Sequence, residues 1–361
     1  MTGMIPAAKP LVGDEERAAV DAVLASGGLA QGPQVAAFEA EFSAVVGGRE
    51  CVAVNSGTSA LHMALLALGV GDGDEVIVPS FTFAATANSV ALTGATPVFV
   101  DIEPDSFCMN PAAVKAAITA RTTAVMPVHL YGHPAAMDQI LPLAQEHGLK
   151  VVEDAAQAHA ASLRGTPVGA FGDAGCFSFY PTKNMTSGEG GMVSAAGGET
   201  ARKVRLLRNQ GMEVRYRNEV VGFNTRMTDI HAAIGRVQLG KLAGWTAQRQ
   251  ANAAFLTQNL EGVVTPTVAP GAVHVYHQYT IRVPGHDQDA FAAALAARGV
   301  GSGVYYPTPV HALPSFGLTL DLPETARAAR EVISLPVHPA LSDSDLETVV
   351  DAVNAVAKAG A

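Results

Sequence analysis

Short apolar runs alternate with helical patterns through the first two-thirds of the chain, and this alternation constrains the fold more than any other feature. Helical patterns separate most of the predicted strands, which lie at residues 51–54, 75–79, 97–101, 123–130, 150–153 and 174–179. This rhythm is typical of βαβ units, in which helices cover both faces of a largely parallel sheet. The sequence therefore predicts an α/β protein with a mostly parallel central sheet.

The length of 361 residues exceeds what one hydrophobic core usually organises, so we expect two domains. A long helical pattern from residue 228 to about residue 260 is typical of a brace between domains. Beyond it, predicted strands (273–283, 303–306) mix with predicted helices. We therefore expect a large domain at residues 1–240, including the N-terminal segment, and a small C-terminal α+β domain at residues 241–361.

Charge and composition exclude several functional classes. The formal net charge is −10 and no basic stripe is present, which disfavours nucleic-acid binding. No segment approaches the roughly 20 apolar residues that span a bilayer, and the N-terminus does not resemble a secretory signal. Asp72 and Asp74 favour a turn over a calcium site because apolar residues follow them, so no metal site is expected. We expect a cytoplasmic protein whose scattered thiols are structural: Cys51, Cys108 and Cys176.

A lysine between a predicted strand and a loop rich in glycine and hydroxyl groups is the first candidate for chemistry. Lys183 follows the apolar run at 174–179 and precedes the sequence Thr-Ser-Gly-Glu-Gly-Gly at 186–191. A rigid sheet positions such a side chain, and the loop leaves it accessible. A Schiff-base lysine must be neutral to attack an aldehyde, which partial burial favours. A solvated loop lysine is the alternative.

Asp154 ends another apolar run, at 150–153. A partly buried carboxylate costs several kcal/mol unless a cation meets it. The protonated nitrogen of a pyridine ring is such a cation, and keeping it protonated is the main electronic task of a protein that binds pyridoxal phosphate (PLP). The alternative is that Asp154 caps a helix that begins at Ala155.

The segment Asn-Ser-Gly-Thr-Ser-Ala at 55–60 follows a predicted strand and opens a helix. Its backbone N–H groups and the hydroxyls of Thr58 and Ser59 suit a phosphate, and the Ser178 hydroxyl could add a donor. An ordinary helix cap is the alternative, and the segment is not a Walker loop. The three segments together favour a PLP site because three unrelated explanations would otherwise have to coincide.

In these segments the chain resembles the DegT/DnrJ/EryC1/StrS family of PLP-dependent nucleotide-sugar aminotransferases. Members of this family have the fold-type I architecture of the aspartate aminotransferase superfamily. The resemblance extends from about residue 10 to the final predicted helix. The matching motifs lie at 55–61, 79–88, 128–132, 153–158, 177–191, 222–227 and 306–311.

The resemblance implies a role for individual residues. Lys183 corresponds to the lysine that binds PLP covalently, Asp154 to the partner of the pyridine nitrogen, and Gln157 to a residue near the phenolic oxygen. The other implied cofactor contacts are Phe83, which stacks on the ring, and the phosphate ligands Thr58, Ser59, Ser178 and Asn224. Because the family's equivalent of Asn224 comes from the neighbouring subunit, the resemblance implies a homodimer with shared active sites. Tyr306 and His311 correspond to residues on loops that approach the sugar.

The resemblance also implies the reaction: transfer of an amino group from L-glutamate to a nucleotide-linked ketosugar. The sequence at 186–191 is more similar to members that aminate carbon 4 of a 4-keto-6-deoxyhexose than to those that act at carbon 3. The alternatives are an amino-cyclitol aminotransferase of the scyllo-inosose type, a PLP-dependent sugar dehydratase and a non-catalytic PLP-binding regulator. Lys183 disfavours the dehydratase, whose members usually carry histidine there. A Rossmann dehydrogenase is disfavoured because no Gly-x-Gly-x-x-Gly follows the first strand.

Overall fold

The computed structural model describes residues 3–359. Its helices are α1 (Asp14–Ser26), α2 (Pro33–Ser43), α3 (Gly57–Ala67), α4 (Ala85–Ala91), α5 (Pro111–Ala117), α6 (Met137–His147), α7 (Gly198–Arg208), α8 (Asp229–Asn259), α9 (Gln288–Ala297), α10 (Pro323–Glu331) and α11 (Asp343–Ala359). Its strands are β1 (Glu50–Val54), β2 (Glu75–Pro79), β3 (Thr96–Val100), β4 (Thr122–Val125), β5 (Lys150–Asp154), β6 (Ser162–Leu163), β7 (Thr166–Pro167), β8 (Ala174–Ser178), β9 (Gly191–Ala195), β10 (Ala272–Val273), β11 (Tyr279–Arg282) and β12 (Val332–Leu335).

Seven strands form the central sheet, in the order β1-β9-β8-β5-β4-β2-β3. The pairs β3–β2, β2–β4, β4–β5 and β5–β8 are parallel, whereas β9 runs antiparallel to both of its neighbours. The predicted mostly parallel sheet is therefore confirmed. Because only β9 is reversed, the carboxyl ends of β1, β2, β5 and β8 lie at the same edge of the sheet.

Helices cover both faces of this sheet, and each face has its own apolar layer. Side chains of a strand point alternately to the two faces. Along β1, Val52 and Val54 pack in the core formed with α3, α4 and α7, whereas Cys51 and Ala53 pack in the core that contains Phe38 of α2. Burying a large apolar side chain stabilises the fold by about 1.5–3 kcal/mol, which holds the strands in register.

The C-terminal part of the chain packs around the antiparallel pair β11 and β12. Helix α8 joins it to the sheet: Leu242 lies in the core with α2, whereas Leu256 lies in a separate core with Tyr279. Ile5, near the N-terminus, also belongs to that separate core. The predicted domain boundary between residues 240 and 241 falls inside α8 and stays a prediction. Neither α8 nor any other helix within residues 3–359 is both long and apolar enough to cross a membrane.

The predicted secondary structure differs from the structure in several places. The predicted strand at 303–306 is wrong, because only its first residue pairs, in a single bridge to Ser334. The predicted strand at 273–283 is interrupted between β10 and β11, where the N–H of Val275 donates to Gly132 O (3.0 Å). Strand β4 is shorter than predicted. The sequence patterns predict neither β9 nor β12.

Candidate active site

Strand ends bring several predicted site residues to one edge of the sheet. Asn55 follows β1, Asp154 is the last residue of β5 and Ser178 is the last residue of β8. Strands β5 and β8 are direct neighbours, with Asp154 in register with Cys176. Ligands of α/β proteins bind in the crevice outside the carboxyl ends of the strands, so this edge is the candidate active site.

Asp154 is 5% exposed, and its carboxylate is held by neutral donors. The Thr86 hydroxyl donates to Oδ2 (2.7 Å) and the backbone N–H of Ala156 donates to Oδ1 (3.2 Å). Burial raises the pKa of Asp154, and these hydrogen bonds oppose the shift. Residues 155–161 form turns, so the alternative of a cap on a helix at Ala155 is wrong. A buried carboxylate held by neutral donors is suited to a cationic ligand.

The first turn of α3 is the candidate phosphate site, which we call the anion cradle, and it also carries the helix cap that was the alternative. Ser56 is the cap of this helix, because its Oγ accepts from the N–H of Ser59 (3.1 Å). Thr58 and Ser59 follow in the first turn, which holds no acidic residue. A Cβ on Gly57 would lie 2.7 Å from the Cβ of Ser178, so the turn packs directly against that serine. The structure therefore brings the three predicted phosphate ligands Thr58, Ser59 and Ser178 together.

Lys183 lies in the turn that follows β8, where its N–H donates to Tyr180 O (2.9 Å). The loop closes on itself because the Thr186 hydroxyl donates to Phe179 O (2.8 Å). The Lys183 side chain is partly buried. Burial lowers its pKa from 10.5 to about 8, and the negative charge of Asp154 opposes that shift. The alternative of a fully solvated loop lysine is therefore wrong.

Gln157 connects two aromatic residues, Tyr131 and Tyr306, to the site through hydrogen bonds. Its Oε1 accepts from the N–H of Tyr131 (2.7 Å), which leaves Nε2 as the donor. Nε2 donates to the phenolic oxygen of Tyr306 (3.0 Å). The ring of Tyr306 lies 6.0 Å from the ring of Phe83, which is 60% exposed at the carboxyl end of β2. The structure thus brings Gln157, Tyr306 and Phe83 together.

His311 reaches the same sheet edge from the C-terminal part of the chain. Its Nδ1 lies 2.6 Å from the hydroxyl of Ser80, the residue after β2. The N–H of Val310 donates to Ser80 O (3.0 Å) and the N–H of His311 donates to Ser80 Oγ (3.5 Å), so three contacts fix the loop at this point. Burial lowers the pKa of His311, which therefore favours the neutral form. The sugar contacts of His311 and Tyr306 stay predictions.

Asn224 lies beside the anion cradle on an exposed segment. The following residue, Thr225, accepts a hydrogen bond from the N–H of Asn55 (2.8 Å). Asn224 itself is exposed, as are its apolar neighbours Val221 (90%) and Phe223 (37%). Its role in a partner's phosphate site stays a prediction.

Several residues that hold the predicted ones in place were not predicted from the sequence. Thr86 binds the Asp154 carboxylate, and Tyr131 fixes the amide of Gln157. Asn184, beside Lys183, donates to Val275 O (3.0 Å) and accepts from the ring of His277 (3.3 Å). Thr86, Tyr131 and Asn184 lie in the motifs at 79–88, 128–132 and 177–191, which were their only sequence signals, and His277 lies in none of the motifs.

The chain is similar to known proteins along almost its whole length. The model of the DegT/DnrJ/EryC1/StrS aminotransferase family matches residues 10–354. The chain is 44% identical over 347 residues to the dTDP-3-amino-3,4,6-trideoxy-alpha-D-glucose transaminase of Streptomyces venezuelae, which covers 94% of this chain and 91% of that one. It is 43% identical over 344 residues to the pleiotropic regulatory protein of Geobacillus stearothermophilus, and the matched region covers 92% of each chain. The X-ray structure of S. venezuelae DesV in complex with a ketimine intermediate is 43% identical, with a TM-score of 0.92 over 95% of this chain and 94% of that one.

Proposed function

The chain belongs to the DegT/DnrJ/EryC1/StrS aminotransferase family and is a PLP-dependent sugar aminotransferase, and we propose that it moves the amino group of L-glutamate to a nucleotide-linked 4-keto-6-deoxyhexose. The observation that carries the proposal is the convergence of Lys183, the Asp154 carboxylate and the anion cradle of α3 on one sheet edge. Nucleotide-sugar transamination is supported by the relatives. The donor, the sugar and the position of amination are the proposed part.

Three features of the structure fit PLP. The buried Asp154 carboxylate, held by neutral donors, suits a protonated pyridine nitrogen. The first turn of α3 with the Ser178 hydroxyl suits a phosphate, which a helix N-terminus attracts through its free N–H groups and its dipole. The exposed ring of Phe83 suits stacking on the cofactor face. We propose that Lys183 binds the cofactor covalently.

Bound PLP supplies a ring that withdraws electrons from the carbon whose proton is removed. Asp154 would keep positive charge on the ring nitrogen, and two opposite unit charges about 4 Å apart attract by about 4 kcal/mol at an effective dielectric near 20. Lys183 Nζ removes the proton from the α-carbon of the amino donor and later gives a proton back, acting as base and then as acid. A pKa of about 8 allows both protonation states near neutral pH.

Gln157 supports the orientation of the cofactor. Its Oε1 is already occupied by the Tyr131 N–H, so only Nε2 is free to donate toward the site. We propose that Nε2 donates to the phenolic oxygen of the cofactor as well as to Tyr306. A buried amide with one end fixed cannot rotate without leaving a polar atom unpaired, which makes the donor direction rigid.

We propose a homodimer with shared active sites, in which Asn224 of the partner subunit binds the cofactor phosphate. The apolar residues around this position support the proposal, because Val220 (47%), Val221 (90%) and Phe223 (37%) are exposed together in the single chain. A contiguous exposed apolar patch beside a polar site is typical of a surface that another protein covers.

Carbon 3 is the second candidate for the position of amination. The sequence at 186–191 favours carbon 4, because it is more similar to that of family members that aminate this carbon. The name of the Streptomyces venezuelae relative, a 3-amino sugar transaminase, favours carbon 3. The reaction class is the same in both cases, so the two candidates differ only in how the sugar lies in the site.

A panel of nucleotide sugars tests the proposal. The purified protein is incubated with L-glutamate and dTDP-, UDP- or GDP-linked 3-keto and 4-keto sugars, and the products are identified by NMR. We expect a 4-amino-4,6-dideoxy product, whereas a 3-amino product would select the second candidate. Amination of scyllo-inosose alone, loss of a sugar hydroxyl without gain of nitrogen, or PLP binding without any turnover would contradict the proposal. Lys183→Ala protein is the control for uncatalysed amination.

A further inference from the structure

Gln238, in the middle of α8, joins three chain segments that are far apart in sequence. Its Oε1 accepts from the backbone N–H of Thr186 (3.3 Å). Its Nε2 donates to Leu11 O and to Glu16 Oε1, both at 2.7 Å. The side chain is 1% exposed, so replacing the amide with an apolar group removes all three contacts from a buried site.

The charge of Glu16 fixes which end of the Gln238 amide faces the loop. Glu16 lies in α1, is 1% exposed, and also accepts from the N–H of Gly13 and from Lys241 Nζ, both at 2.8 Å. Burial raises the pKa of Glu16, but the hydrogen bonds from Lys241, Gly13 and Gln238 together bring it below its ordinary value. An ionised carboxylate only accepts, so Nε2 of Gln238 must face α1 and Oε1 must face Thr186.

Thr186 belongs to the loop that carries Lys183. Its hydroxyl donates to Phe179 O (2.8 Å) and accepts from the N–H of Gly188 (2.9 Å), so Thr186 closes the loop after the lysine. Its own N–H is the one that Gln238 accepts. A displacement of α1 would therefore reach the base of the lysine loop through a single buried amide.

We infer that Gln238 is a positioning residue for Lys183, which couples docking of the N-terminal segment at 11–26 to the loop of the catalytic lysine. The inference rests on the proposed role of Lys183. The charged or titratable groups near that lysine are Asp154, His159 and His277, all on other elements. Gln238 therefore acts on the position of Lys183 and on its exclusion from water, while the charges around it are unchanged.

The test measures the titration of Lys183 directly in cofactor-free protein. Isotopically labelled acetic anhydride modifies neutral amines, and peptide mass spectrometry then gives the labelling of Lys183 across a neutral to alkaline pH series. The wild-type midpoint is expected near pH 8. In Gln238→Leu the loop loosens and water reaches the amine, so the midpoint rises toward 10.5. In holoenzyme, kcat falls about tenfold because the amine is misplaced, while KM for glutamate changes little.

Arg236→Met is the matched control, since Arg236 lies on the same helix and binds Glu41 and Gln34 at the surface. It is expected to lower the melting temperature without moving the Lys183 midpoint. Glu16→Leu removes the acceptor that orients Gln238 and is expected to raise the midpoint in part. If Gln238→Leu does not fold, Glu16→Leu carries the test. A lower melting temperature with an unchanged midpoint and kcat in these variants would overturn the inference, whereas the role of Lys183 itself is tested separately with Lys183→Ala.

Discussion

The two halves of the active site differ in how far the single chain completes them. At the strand ends, Asp154 (5%) and Ser178 (9%) are buried, and the carboxylate has two hydrogen bonds within the chain. By contrast, Phe83 is 60% exposed, and Val221, near Asn224, is 90% exposed. One half is fixed by hydrogen bonds within the chain, and the other exposes apolar side chains.

The buried half is suited to catalysis, and the exposed half is suited to recognition of the sugar or of a second subunit. Groups that stabilise charge are effective when they are fixed in advance, because the protein then need not reorganise during the reaction. The strand ends provide that rigidity. The exposed half can instead adapt to a sugar or to a second subunit, and its contacts contribute when those partners bind. Substitutions in the buried half should therefore have much larger effects on rate than substitutions in the exposed half.

The largest effect is expected from Lys183→Ala. Without the amine, no group at the site moves the donor proton, so the rate should fall by about 10⁴-fold. The variant should also lose the visible absorbance of the cofactor–lysine bond, yet still bind pyridoxamine phosphate. Absorbance spectra and single-turnover rates measure both. Lys150→Ala, at an exposed lysine on β5, should leave both unchanged. Full transamination by Lys183→Ala would remove the basis for the proposed function.

A smaller loss is expected from Asp154→Asn. The substitution keeps the shape and the Thr86 contact but removes the negative charge that meets the ring nitrogen. A loss of about 4 kcal/mol corresponds to a rate decrease of about 10³-fold. Stopped-flow measurement of the glutamate half-reaction tests this, with Asp138→Asn as the surface control, because Asp138 pairs only with the exposed Arg164. A decrease below tenfold would mean that Asp154 supports structure more than catalysis.

Local sequence patterns pointed to residues of the buried half, whereas Phe83 and Asn224 of the exposed half were predicted only through the family resemblance. Asp154 ends an apolar run and the cradle lies between a strand and a helix, so local patterns made them candidates, with a helix cap as the alternative for each. The contacts that hold them join distant residues. Thr86 and Asp154 are 68 residues apart, and Gln157 and Tyr306 are 149 apart. No local periodicity encodes such pairs, because they follow from how the elements pack.

Local sequence patterns also do not predict unusual backbone geometry. Tyr131 adopts a positive φ of 58°, which is rare for a bulky residue, and this conformation accompanies the hydrogen bond from its N–H to Gln157. The predicted strand at 303–306 was wrong for a related reason: the loop is held by tertiary contacts of Tyr306 and His311 instead of by a strand ladder. Sequence patterns identified these residues only through the family resemblance.

In the exposed half, Asn224→Ala tests whether a second subunit completes the site. Loss of one hydrogen bond to a charged phosphate should weaken PLP binding by about tenfold, as measured by fluorescence titration. Asn218→Ala, on the same exposed segment, is the control because its amide only donates to Gln210 O. At a limiting PLP concentration that leaves Asn224→Ala mostly without cofactor, mixing it with Lys183→Ala subunits should restore activity, since a hybrid dimer then has one intact site. Absence of any recovery after verified subunit exchange would argue against shared sites.

The smallest effect is expected from Tyr306→Phe. Tyr306 contacts both Gln157 in the buried half and Phe83 in the exposed half. The phenol accepts from the buried Nε2 of Gln157 (3.0 Å), and burial raises the pKa of Tyr306, so it remains a neutral hydroxyl at working pH. Losing one such hydrogen bond costs about 1 kcal/mol, or about a fivefold decrease in rate. If Tyr306 faces the sugar, the decrease should be confined to the ketosugar half-reaction, with the glutamate half-reaction and the Tyr305→Phe control unchanged. Equal slowing of both half-reactions would instead assign Tyr306 to the buried half, as a support for Gln157.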